Sequence, residues 1–140
     1  MLPSNQKPIP RMTVIIDTSG SMSDADLALA CGAIANGLRS MLDPRGVRVI
    51  AGDTDARVAK QVFRPDQVEL VGGGGTDMAK LVVLASEEKP APKAIVVLTD
   101  GKTDWPSKPV APKVLVALTR KNDYWMSRVP TWMEKLLLKP

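Results

Sequence analysis

The chain has 140 residues, 44% hydrophobic and 24% charged, with a formal net charge of +4. That length suits one domain with a sizeable core, and the basic residues are scattered rather than run together, which favours a solvated basic surface over a nucleic-acid footprint. The absence of histidine excludes a Ser-His-Asp triad, a Cys-His pair and an HExxH zinc site, and the single cysteine, Cys31, excludes an intrachain disulfide.

Residues 1–10 carry three prolines and no apolar run. They read as a flexible, Pro-rich leader ahead of one domain over 11–140, and as neither a signal peptide nor an anchor. No apolar segment approaches a membrane span, so a cytoplasmic protein with no membrane partner is expected. Met12 to Ile16, β-branched and apolar, predicts a buried parallel strand, which ends in Asp17-Thr18-Ser19-Gly20-Ser21. A helix is expected from about Asp24 to Leu42, capped by Ser23 with Asp26 three positions on. Leu27, Ala30, Cys31, Ile34, Leu38 and Met41 form its apolar stripe, which makes Cys31 a small core residue. Gly32 and Gly37 weaken the helix and are read as allowing close packing on a sheet.

Val47 to Gly52 predicts a second strand. Arg57 to Phe63, with mixed character on both faces, predicts a third at the sheet edge. The link Asp53-Thr54-Asp55 is too short for a parallel crossover, so these two should pair antiparallel. The run Gly72-Gly73-Gly74-Gly75-Thr76-Asp77 leads into a helix from about Asp77 to Glu88, with Met78, Leu81, Val82 and Ala85 on its buried face. Ala94 to Thr99 is the clearest core strand and ends in Asp100-Gly101. A Pro-rich loop with Trp105-Pro106 follows, then a further buried strand at Val114 to Leu118. Trp132 to Leu138 fits either a short helix or a last strand. These elements predict an α/β, Rossmann-like domain: a mostly parallel central sheet with one antiparallel edge strand, flanked by helices.

Asp17, Ser19 and Ser21 follow the first strand, Thr76 follows the glycine run, and Asp100 follows the strand at 94–99. In open α/β sheets ligands bind at the carboxyl ends of the strands, where these segments converge. Carboxylates and hydroxyls without histidine or thiol are hard-oxygen donors, suited to Mg²⁺ or Mn²⁺ rather than zinc. The glycine run lacks the Gly-Lys-Ser/Thr ending of a phosphate-binding P-loop. Trp105 and Trp132 could anchor a partner, with core or lid packing the favoured reading.

With these residues in that order, the chain resembles the von Willebrand factor A (VWA) family, whose metal-ion-dependent adhesion site is written D-x-S-x-S, then a Thr, then an Asp. The resemblance narrows to the VWA-like C-terminal domain of bacterial predicted metal-dependent peptidases. It is carried by Asp17 to Met22, GGGGTDM at 72–78, Thr99-Asp100-Gly101, Trp105-Pro106 and Val129-Pro130-Thr131-Trp132. The resemblance implies that Ser19 and Ser21 bind the metal directly and Thr76 directly or through water. Asp17 and Asp100 would act mainly through water and by hydrogen-bonding the hydroxyls. The peptidase region with its HExxH is absent from this sequence, so peptidase activity does not carry over.

The function implied is non-enzymatic: a Mg²⁺- or Mn²⁺-dependent protein-binding module that docks an Asp or Glu of a partner on the ion. A MoxR-type AAA+ ATPase or its client is the partner the resemblance implies. Two alternatives stay open. One is a Mg²⁺-dependent phosphatase or phosphotransferase with Asp17 as nucleophile, against which Ser19 stands where such enzymes usually carry a second Asp. The other is a subunit that assembles through the same metal site.

Overall fold

The computed structural model describes residues 12–18, 21–40, 47–51, 58–61, 78–88 and 91–139. Its elements are β1 (Met12–Ile16), α1 (Asp24–Ser40), β2 (Val47–Ala51), β3 (Val58–Gln61), α2 (Met78–Ser86), β4 (Ala94–Thr99), β5 (Lys113–Leu118), α3 (Asp123–Arg128) and β6 (Glu134–Leu137). Among the described residues the strands form one sheet in the order β3-β2-β1-β4-β5-β6. All neighbours are parallel except the β2–β3 pair, which is antiparallel as the short link demands. The link itself, with Asp53, lies outside the described residues.

Why the sheet is built this way follows from the alternation of side chains along each strand. Ile15, Ile50, Ile95, Val97, Val114 and Val116 turn to one face, where Met78, Leu81, Val82 and Ala85 of α2 cover them. Val14, Ile16, Val49, Leu98 and Ala117 turn to the other, under Ala30 and the partly buried Leu27 and Ala33 of α1. β1 and β4 are therefore sandwiched between two layers, which is why their sequences are apolar almost throughout. The chain leaves β1 toward β2 on one side, while β4 lies on the other. The carboxyl ends of β1 and β4 thus flank the point at which the strand order reverses, where doubly wound sheets open a crevice.

Several details depart from the expectations. The ambiguous C-terminal segment is a strand: β6 pairs in parallel with β5, Leu136 opposite Ala117 and Leu137 opposite Leu118. Leu137 packs against one core and Leu138 against the other, a period-two alternation that a run of three leucines hides. α3 was not anticipated; Asn122 caps it, its side-chain oxygen accepting from Trp125 N at 3.1 Å. Trp105 and Trp132 are partly buried against the α2-side core, in a packing role. Gly32 does not serve close packing: it is exposed, and a Cβ built there meets nothing within 4 Å. Cys31 is half-buried rather than in the core; burial pushes its thiol pKa up. Met41, Leu42, Gly52, Arg57, Val62, Phe63 and Asp77, at the expected element ends, lie outside the described residues. Among the described residues no helix is long and apolar enough to cross a membrane.

Candidate metal centre

Asp17 and Asp100 are the residues that follow β1 and β4, and both are almost fully buried, at 0% and 1% exposure. The two strands run in register, Ile16 opposite Leu98, and the ladder continues one step as Asp17 N donates to the Leu98 carbonyl at 2.9 Å. Thr99, 0% exposed, stands between the two acids. Its hydroxyl donates to Asp17 Oδ2 at 2.6 Å and accepts from Gly101 N at 3.1 Å. One threonine thus orients the first carboxylate and the backbone turn that carries the second.

Asp100 Oδ1 accepts from Lys102 N at 3.0 Å. Its other oxygen, Oδ2, is buried and has no hydrogen-bond partner among the described residues. An orphaned carboxylate oxygen is costly to keep out of water, so its presence at the switch point calls for an explanation. The turn below it requires glycine: Gly101 has φ +91°, and a Cβ there would lie 3.1 Å from Leu118 Cδ2 and 3.3 Å from Trp125 Cβ. Thr103 N then donates to the Gly101 carbonyl at 2.8 Å. The Thr103 hydroxyl accepts from Met78 N at 3.0 Å, which fastens the start of α2 to the loop after β4.

On the other side of the edge, the turn after Asp17 leads into α1. Ser23 Oγ accepts from Asp26 N at 3.2 Å. Asp26 Oδ2 in turn accepts from Ser23 N at 2.8 Å and from the Ser23 hydroxyl at 2.9 Å, so the expected capping box is present. Burial pushes the Asp26 carboxyl up, but its bonds to Arg120, Ser23 and Thr119 together overcome that and hold its pKa at about 2. Arg120, just beyond β5, donates through Nε to Asp26 Oδ1 at 3.1 Å and through Nη2 to the Ser21 carbonyl at 3.0 Å.

The expected ligand residues are therefore distributed as follows. Asp17 and Asp100 both stand at the switch point, either side of Thr99, whose hydroxyl bonds Asp17 Oδ2 and the Gly101 N–H. Ser21 is half-buried, its carbonyl held by Arg120. Ser19 and Thr76 lie outside the described residues, as do the glycine run and Asp77. Asp104, near the same edge, is largely exposed and lies 3.6 Å from Arg128. Among the described residues no three His, Cys, Asp or Glu side chains cluster. Sequence reasoning gave Thr99 no role of its own and missed Thr103 and Arg120. A threonine closing an apolar strand beside Asp100 was a usable signal for the first; the others act over 25 and 94 positions of sequence, beyond the reach of local pattern.

A doubly wound sheet with two buried acids at its switch point defines an α/β domain of the Rossmann-like class. A family model for the VWA-like domain (DUF2201) matches residues 12–139, and the chain belongs to that family. No curated protein sequence matches it. Among solved structures it is similar to the Deinococcus radiodurans RO (RSR) protein, with 19% identity and a TM-score of 0.57. That likeness covers 92% of this chain but only 31% of the other, so the chain spans about a third of that protein, and the likeness is one of fold.

Proposed function

We propose that this VWA-like domain is a divalent-metal-dependent protein-binding module and not an enzyme. In this reading Ser19 and Ser21 offer hydroxyls to Mg²⁺ or Mn²⁺, Thr76 binds directly or through water, and Asp17 and Asp100 act through water and by orienting the hydroxyls. The observation that carries the reading is the buried Asp100 Oδ2, which lacks a partner among the described residues beside the equally buried Asp17. A cation with its bound waters would satisfy that oxygen, and an all-oxygen donor set suits a hard ion. With neutral hydroxyls closest to it, the ion keeps net positive charge and supplies a coordination position for an Asp or Glu of the partner. Asp17, fully buried and held by Thr99, supports an orienting role over that of a phosphoryl-accepting nucleophile.

A cytoplasmic setting and a MoxR-type AAA+ ATPase or its client as partner belong to the same proposal. The test is retention of proteins from host lysate on the immobilised domain, in Mg²⁺ and then in EDTA, with Ser19→Ala alongside. The reading expects a protein held only by the wild type and only with metal. Equal retention in Mg²⁺ and EDTA would overturn it, and clear turnover of phosphoesters, lost in Asp17→Asn, would replace it with the phosphatase reading.

A further inference from the structure

Arg120 follows β5, yet its partners lie in the turn that follows β1 and in the first turn of α1. In the sheet order β1-β4-β5, β4 stands between them, so the guanidinium reaches across the carboxyl end of the strand that delivers Asp100. There it does two things at once. Nε and Nη2 form a fork on the carboxylate of Asp26, which is 3% exposed. Nη2 also holds the carbonyl of Ser21 at 3.0 Å, the last serine of the D-x-S-x-S turn. Asp26 is itself fixed to Ser23 through the capping box. The chain from Ser21 to the first turn of α1 is thereby pinned from the far side of the crevice.

We infer that Arg120 is a positioning residue for the proposed metal site, setting the Ser21 turn in the place from which its hydroxyl can serve a cation. This rests on the metal-binding reading given above. Arginine is required because its planar fork presents several donors in fixed directions, whereas a lysine is a single point of charge on a flexible stem. Outer contacts that orient a ligand commonly change metal affinity by about ten- to a hundredfold when they are removed.

Arg120→Ala would strand a buried Asp26, which is strongly destabilising in itself. Two other variants separate positioning from folding. Arg120→Lys keeps a cation for Asp26 but loses the fork, and Arg120→Met combined with Asp26→Asn removes both charges together. Mn²⁺ is titrated into each folded protein, and amide hydrogen exchange at 22–25 is followed in EDTA. The expected result is Mn²⁺ binding weakened by about tenfold or more in both variants, with faster exchange at 22–25. Lys121→Ala, at the exposed neighbouring residue, should match the wild type in both measurements. Wild-type affinity in both variants, with the wild type itself binding Mn²⁺, overturns the inference and leaves the metal site standing. A wild type that binds no Mn²⁺ overturns the metal reading and this inference together.

Discussion

At the scale of single residues, the switch point holds one side chain whose value for folding and for binding should have opposite signs. Asp100 keeps a buried oxygen with no partner among the described residues, and such a group costs about 1–3 kcal/mol. Asp100→Asn exchanges that carboxylate for a neutral amide. The metal-free protein should therefore unfold at higher urea, by about 1 kcal/mol, while any stabilisation by Mg²⁺ declines. Thr99 is the reverse case. Its hydroxyl satisfies both Asp17 Oδ2 and Gly101 N, so Thr99→Val leaves two buried groups short of a bond and should cost about 1–3 kcal/mol in urea unfolding even without metal.

Asp26 gives a pH signature. Its carboxyl titrates at about 2 in the fold against an ordinary value of 3.8. A depressed folded value means that the charged form is the one the fold holds. The contribution is complete above about pH 4 and is lost as pH falls through about 2. That difference corresponds to about 2 kcal/mol. Urea unfolding of wild type and Asp26→Asn between pH 6 and pH 2 should show the wild-type advantage shrinking across that window and flat above it.

At the scale of elements, the two glycines described in detail make opposite predictions. Gly32 sits in an open position in α1, so Gly32→Ala should stabilise by about 0.5–1 kcal/mol through helix propensity and the entropy of the unfolded chain. Gly101 has positive φ and close neighbours, so Gly101→Ala should destabilise by more than that. Thermal unfolding in EDTA checks both. The elements also show what a sequence can and cannot reveal. β1, β4 and β5 are legible because burial on both faces leaves nearly continuous apolar runs, and the β2–β3 hairpin because a short link leaves one geometry. β6 is obscured because Leu136, Leu137 and Leu138 are alike in type, although Leu136 is exposed while Leu137 and Leu138 meet opposite cores. α3, six residues long, is too short for a periodic stripe and is announced only by its Asn122 cap.

At the scale of the whole molecule, the site is assembled by topology more than by motif. The D-x-S-x-S turn and the Asp100-Gly101 turn are readable as local patterns, and the strand order then brings their acids to adjacent strand ends. The long-range fastenings could not be read in this way. Thr103 ties in α2, and Arg120 ties in the turn before α1; each becomes visible only once the sheet is closed. Together they fasten the loop after β4 to the start of α2, and the residue after β5 to the turn before α1, around the switch point.

The most direct measurement is the urea unfolding free energy of the wild type, Ser19→Ala and Asp100→Asn, each in Mg²⁺ and in EDTA. A ligand bound only by the native state at a hundred times its dissociation constant stabilises by about 2.7 kcal/mol. The account predicts a Mg²⁺-dependent gain approaching that size in the wild type and little or none in either variant. Equal gains in all three proteins, or no gain in the wild type at saturating Mg²⁺, would contradict it.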